Sequence, residues 1–519
     1  MPESKKPRKP QAGATFAAGA GANAVLVAPA LVVWAAVVLT LWPSHGRTFN
    51  WDEVDYAQAA RAGVVANAFE RGSLSATEFY RLARAKQTGV EPSLPAGYDE
   101  AKDPFLLRHF HPPLLIYLTS VASDAFGAHD ERAFRVVQLL GALAFVVTIL
   151  LSYRWLSVSP TWAGLLIVST VAYWLSLLLF ASLSMHGWLG VWMVACCALT
   201  ARWLNGRYAR VGILLCVSLA LSVLTLETGL VTLFGVFVSL ALWGQSSPTL
   251  RSRTLWRDAL TGAALTALVV FALWPGSALK ISLAKTFAMH AYRFRAGSES
   301  ALAGERAGWV LSALYAPLLV ALGASAFLLA RLRAESRRWG AFFVLGLTNI
   351  LAMSKLAFSP MYFAPGLAAF ACLAGYACDR LASSRLRALA AAVALAAVAT
   401  SPFFWTPPSG NDPTRGNIAL LREKLRGREA FVDGANIYGY YLGDSYNVRP
   451  VAVSYDGRTL STRERGKYEA VGAREVAGKV VVLLARTDAL YPLERELLGG
   501  CSRQDGDAMR VYDCAPVGR

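Results

Sequence analysis

Charge is what this sequence has least of. Asp, Glu, Lys and Arg together make up 16% of its 519 residues, where a soluble chain carries roughly a quarter. With hydrophobic residues at 55%, that deficit excludes a disordered chain, a collagen-like chain and an ordinary cytosolic enzyme. Length alone would suggest about three or four soluble domains, and the composition overrides it: most of this chain belongs in a membrane. Zinc-type Cys/His spacing is missing, and so is a basic-aromatic stripe for nucleic acid, so no nucleic-acid partner is expected. Lys and Arg number 51 against 34 Asp and Glu, a formal charge of +17. The basic residues fall mainly in short loops between apolar runs, where they act as topology signals. No inverted repeat of transporter type is visible.

What is present is a series of long apolar runs, at about 24–43, 133–153, 160–183, 186–203, 208–226, 228–244, 258–279, 308–330, 339–354, 358–378 and 387–405. They predict about eleven spans. The first follows a basic, Pro-rich start, MPESKKPRKP, and lacks an early small-residue cleavage site, so it reads as a retained helix. Basic loops at 202–210, 251–257, 331–338 and 380–387 recur two runs apart, and the positive-inside rule places them and the N-terminus in the cytoplasm. An odd number of spans then puts the C-terminus outside. This parity holds if residues 112–127, PPLLIYLTSVASDAFG, lie in the interface without crossing. The expected architecture is mainly α: a polytopic helical protein of the plasma (inner) membrane. It has a cytoplasmic tail at 1–23, a multi-span part at 24–406 with an outer loop at 44–132, and a small extracytoplasmic α/β domain at 407–519.

In that last part, PPSGNDP at 407–413 reads as a linker, EAFVDG, RPVAVSY, KVVVLLA and AMRVYDC as strands, and YPLERELL as a helix. Cys196, Cys197, Cys216, Cys372 and Cys378 sit in apolar runs as small hydrophobes. Cys501 and Cys514 stand apart and suggest a disulfide if their region is extracytoplasmic.

The polar residues gather at one set of helix ends. WDEVDYAQAARAGV places Asp52 and Glu53 side by side at the membrane surface, with Asp55 opening an amphipathic helix. Acids there serve either as helix caps or as a base. LRHFHPPLLIYL sets His109 and His111 before a double proline, as donors to a phosphate oxygen or as solvated residues at a helix start. In HDERAFRVVQLLG, Arg132 and Arg135 suit anion binding or an ion pair with Glu131. His186, Glu227 and Lys355 fall at outward helix ends. A single span centred on Glu227 would cost about 2.5 to 3.5 kcal/mol, which two short helices turning there avoid. The loop at 280–306 also faces outward, as a lid or a solvated loop. A base and a phosphate clamp on one membrane face suit an amphiphilic substrate.

In order and spacing these motifs resemble the multi-span glycosyltransferases of the C-type membrane fold that use lipid-phosphate-linked sugars, among them protein O-mannosyltransferases and aminoarabinose transferases acting on lipid A. WDEVDYAQAA resembles their acidic motif, FHPPLLIYL their His/Lys-Pro-Pro helix and DERAFRVVQLLGAL their Glu-x-x-x-Arg start of the second span. SPMYFAPGLAAFACLAGY, which carries Tyr362, resembles their late Tyr-x-x-Pro helix. The likeness spans about residues 25 to 400 discontinuously. It implies transfer of a sugar from a polyprenyl-phosphate carrier to an acceptor at the outer face, with inversion. Asp52 would be the base or acceptor-orienting carboxylate, with Glu53 beside it. His111, Lys355 and Arg135 would contact the carrier phosphate, and His109, His186, Glu227 and Tyr362 would support them.

The implied partners are the lipid-linked donor, membrane lipids and a glycan, lipid or protein acceptor. No cofactor is fixed by the motifs. Many relatives carry a second Asp after the third span where this chain reads LSMHGW, which leaves a divalent metal open. A lipid or sugar transporter or flippase, which should show polar sites in mid-membrane, and a non-catalytic scaffold are the other classes to be told apart.

Overall fold

Each apolar run folds as a helix, since backbone groups in lipid must be satisfied within the segment. The computed structural model describes residues 17–70, 73–88, 95, 96, 98, 111–126, 131–206, 209–244, 252–288, 302–353, 360–400, 412–433, 435–443, 445–453, 458–464, 467–484, 492–506 and 509–516. After α1 (Ala17–His45) come four shorter helices, α2 (Trp51–Arg61), α3 (Val64–Phe69), α4 (Ala76–Thr88) and α5 (Leu114–Phe126). The apolar series then continues through α6 (Glu131–Leu156), α7 (Trp162–Phe180), α8 (Met185–Gly206), α9 (Ala209–Thr225) and α10 (Gly229–Gly244). It ends with α11 (Ser252–Leu273), α12 (Leu302–Arg331), α13 (Ser336–Met353), α14 (Ala364–Asp379) and α15 (Ser384–Ala399). The chain is a multi-pass membrane protein. Five of the described helices are long and apolar enough to cross unaided, and a sixth candidate is bent by 99° between Pro317–Arg331 and Arg333–Met353. With 13 residues, α5 is about 20 Å long and too short for a hydrocarbon core of about 30 Å.

The break between α9 and α10 falls at Glu227, as expected. It is tight because Gly229 has no side chain: a Cβ there would lie 2.3 Å from the Ser222 carbonyl oxygen. The centre of the bundle is α14, buried from Ala364 to Cys378. Its sequence is rich in Ala and Gly, so neighbouring backbones come close where lipid gives no hydrophobic drive for association. Gly366 meets Gly346 of α13, and Gly375 meets Gly164 of α7, with a built Cβ 2.9 and 3.1 Å from the facing carbonyl. Asp379 closes the end of α14, accepting from the hydroxyls of Tyr153, Ser157 and Thr161, each at 2.6 Å, and from the Thr161 N–H at 2.9 Å. Cys196, Cys197, Cys216, Cys372 and Cys378 are free and buried.

Beyond α15 the chain forms a seven-stranded sheet from β1 (Glu429–Asp433), β2 (Asn447–Val453), β3 (Leu460–Glu464), β4 (Lys467–Ala470), β5 (Val480–Leu484), β6 (Ser502–Gly506) and β7 (Met509–Asp513). The order is β4-β3-β2-β1-β5-β7-β6, with β1 parallel to β2 and β5 and the other pairs antiparallel. Helices α16 (Pro413–Lys424) and α17 (Ala435–Leu442) pack on one face through Leu421, Leu425, Tyr438 and Leu442. A disulfide joins Cys501 to Cys514. Most of the expected linker at 407–413 lies outside the described residues.

The sheet unit docks on the segment between α1 and α2. The Asp412 carboxylate accepts from the Thr48 N–H at 2.8 Å and the Thr48 hydroxyl at 2.7 Å. From α17, Tyr441 accepts from the Phe49 N–H at 2.8 Å and donates to Glu131 at 3.0 Å. Its neighbour Tyr440 lies under the Arg61 guanidinium, 4.0 Å from the ring centre. Ile437 and Tyr440 complete a buried cluster with Phe49, Val54 and Phe134.

Candidate active site

The acidic motif begins with an ordinary capping box. Asn50 accepts from the Glu53 N–H at 3.1 Å, and Glu53 accepts from the Asn50 N–H at 2.9 Å. Helix α2 therefore starts at Trp51, and Asp55 falls in its second turn instead of opening it. The same Glu53 carboxylate accepts from Arg135 Nε at 2.9 Å, from Arg135 Nη2 at 2.7 Å and from the Leu183 N–H at 2.6 Å. Burial pushes this carboxyl up, but the charge and hydrogen bonds of Arg135, with the Asn50 and Leu183 N–H groups, hold it below the usual carboxylate value.

Arg135 also donates to the carbonyls of His45 at 2.9 Å and Thr48 at 3.2 Å. Its ion-pair partner is thus Glu53, across 82 residues, and not the nearby Glu131, which faces Tyr441 and, at 4.0 Å, Arg415. Arg132 lies over the Trp42 ring, 5.6 Å from its centre. The result is a fixed corner between α1 and α2 from which Asp52, in the first turn, is exposed.

One turn further along the helix, Tyr56 is buried at 8% exposure. Burial raises its hydroxyl pKa well above the ordinary value, and the negative charges of Asp52, Glu227 and Asp55 add to this, with the neighbouring Tyr362 acting in the same direction. The His111 ring stands edge-on to Tyr56 with centroids 5.8 Å apart, and His111 Nδ1 lies 3.3 Å from Glu227 Oε2. His186, in the first turn of α8, packs on Tyr362 with ring centroids 4.4 Å apart and lies within electrostatic reach of His111 and Glu227. The structure thus brings Asp52, His111, His186, Glu227 and Tyr362 to one end of the bundle. His109 and Lys355 lie outside the described residues. Among the described residues, no three His, Cys, Asp or Glu side chains group as metal ligands.

This arrangement holds an exposed carboxylate that can take a proton beside N–H and O–H groups that can donate to an anionic oxygen. The sequence reading missed Tyr56, although its position four residues after Asp52 puts both on one helix face. It also missed Tyr441 and Asp412, which act across hundreds of residues and leave no local signal.

The fold is shared with solved membrane glycosyltransferases of the C-type architecture. The structure of ArnT from Cupriavidus metallidurans in the apo state is similar over 95% of this chain and 98% of its own, at 14% identity and a TM-score of 0.54. That of the same protein bound to undecaprenyl phosphate covers the same shares, at 13% identity and a TM-score of 0.53. An oligosaccharyltransferase from Archaeoglobus fulgidus, tethered to an acceptor peptide containing the NVT sequon, covers 88% of this chain and 69% of its own, at 13% identity and a TM-score of 0.51. No protein-family model and no curated protein matches the sequence.

Proposed function

We propose that this protein is a membrane glycosyltransferase that moves a sugar from a polyprenyl-phosphate carrier to an acceptor at the outer membrane face, by inverting displacement. The observation that carries this reading is the meeting of Asp52, Tyr56, His111, His186, Glu227 and Tyr362 at one bundle end, in a fold shared with a protein solved with undecaprenyl phosphate. Asp52 acts as the base or orients the acceptor: the acceptor oxygen attacks the anomeric carbon and loses its proton to the carboxylate. The bond from that carbon to the phosphate oxygen breaks, and the polyprenyl phosphate leaves with one more negative charge. His111, oriented by Glu227, contacts that phosphate and stabilises the developing charge; Lys355 serves the same end. In place of the catalytic role expected of Glu53 and the carrier-phosphate contact expected of Arg135, their buried ion pair holds α2 so that Asp52 faces the acceptor.

In this reading the N-terminus is cytoplasmic and the sheet unit lies outside. A transporter fits less well, because these polar groups gather at one end of the helices. The test is a transfer assay on the full chain in lipid, with labelled polyprenyl-phosphate sugars and membrane extract as acceptor, comparing wild type with Asp52→Asn. Loss of transfer with carrier binding intact supports the reading. Equal transfer by the variant removes Asp52 from the chemistry, and carrier binding without transfer by wild type favours a scaffold.

A further inference from the structure

A second polar site lies at the opposite end of the same helices. His186 opens α8 and Asn205 lies in its last turn, nineteen residues on, a rise of about 28 Å. Glu227 precedes α10 and Trp243 lies at its far end, while Tyr362 precedes α14 and Arg380 follows it. At this far end an open pocket of about 740 Å³ is lined by Asn205, Trp243, Ser336, Arg337, Arg338 and Arg380, with Glu335 among them. Glu335 is held by Arg380 at 2.8 Å and by the Tyr376 hydroxyl, and it lies 4.0 Å from Arg338. Three guanidinium groups against one carboxylate leave the pocket with two net positive charges. Among the described residues, the Arg337 side chain has no ion-pair partner.

The lining comes from four separate segments, and contacts across them hold its shape. Trp243 Nε1 donates to Ser336 Oγ at 3.1 Å, and Asn205 Nδ2 donates to the Arg337 carbonyl at 3.4 Å. Ser336 begins the 18-residue α13, so the positive end of a helix dipole adds to the arginines.

We propose that this pocket binds the phosphate of an anionic membrane lipid headgroup, on the membrane face opposite the candidate active site. Arginine forks match phosphate oxygens in pairs. Basic pockets between spans at a membrane face suit lipid headgroups, and a tryptophan beside them sits where interfacial aromatics anchor. The source is a lipid because the pocket opens where the apolar helices α8, α10 and α14 end, the level at which headgroups lie. This inference is independent of the sugar-transfer reading and needs no turnover to test.

The full chain in nanodiscs of phosphatidylcholine with graded phosphatidylglycerol is scored for retained phosphatidylglycerol by native mass spectrometry, with inorganic phosphate as competitor in a separate arm. Arg337→Gln and Arg338→Gln should each weaken retention about fivefold, and Arg337→Lys should restore part of it. Arg337→Gln carries the test because it breaks no ion pair within the described residues, and an unchanged size-exclusion profile and thermal midpoint separate a lost headgroup contact from a folding defect. Retention unchanged in both glutamine variants overturns the site. Saturable binding of inorganic phosphate, lost in Arg337→Gln, with no preference for phosphatidylglycerol overturns the lipid source.

Discussion

Arg135 and Glu53 meet in a two-point contact, Nε to Oε1 at 2.9 Å and Nη2 to Oε2 at 2.7 Å, with side-chain exposures of 3% and 2%. Breaking such a pair from either side leaves a buried charge, at a cost of about 3–5 kcal/mol. Glu53→Gln and Arg135→Gln should each lower thermal stability in detergent by that order, and the double variant by clearly less than the sum. Additive losses would mean that the two residues act independently. The pH dependence has a definite sign. The folded Glu53 carboxyl lies below its ordinary value of 4.5, so its contribution is complete above that value and is lost as pH falls through the folded one. Wild type should lose stability on acidification in that range, with a flatter acid limb in Glu53→Gln.

His111 and Glu227 predict a different phenotype, because they sit where the carrier phosphate is proposed to bind and not in the α1–α2 corner. His111→Ala should weaken binding of polyprenyl phosphate about tenfold, the loss of one charge-assisted hydrogen bond. Glu227→Gln, which keeps a hydrogen-bonding side chain beside the ring, should cost less. Carrier affinity measured by fluorescence titration, unchanged in His111→Ala, would refute the phosphate contact.

Tyr441 links the sheet unit to the candidate site. Tyr441→Phe removes the acceptor of the Phe49 N–H and the donor to Glu131, and should cost about 2 kcal/mol for two hydrogen bonds. The transfer rate should fall severalfold while carrier binding stays as it was. If stability falls and the rate does not, the sheet unit has no hold on the position of Asp52.

Packing at the centre gives the sharpest structural prediction. A Cβ on Gly375 would lie 2.5 Å from Val168 Cγ2 and 2.9 Å from the Tyr153 ring. Gly375→Leu should therefore yield little folded protein by size-exclusion profile, whereas Gly323→Ala, with nothing within 4 Å of the added atom, should behave as wild type.

The helical part was legible because the apolar runs are long and Arg-rich loops recur two runs apart, and the turn at Glu227 because one carboxylate in a long apolar stretch forces a break. In the sheet, β1, β2, β5 and β7 were readable from runs such as VVVLL at the buried β5. The polar β6, SRQDG, has four exposed residues at a sheet edge, so no alternation marks it, and β3 and β4 lie in the charged stretch STRERGKYEA. At the candidate site, residue types pointed to Asp52, His111, His186 and Glu227, and the family resemblance to Tyr362. Their neighbours did not follow from spacing: that Arg135 answers Glu53 and not Glu131 depends on how α1 turns into α2.

The burial of α14 also bears on the order of assembly. Its glycine seam with α7 joins Gly164 to Gly375, and at translation rates of 5–20 residues per second the second half of that seam emerges roughly 10–40 s after the first. The early spans must therefore wait in the bilayer with their small-residue faces uncovered in that interval. Chains halted before Ala364 should be cleaved by added protease in the loops flanking α7 far faster than full-length chains, and equal cleavage would show that the early spans close without α14.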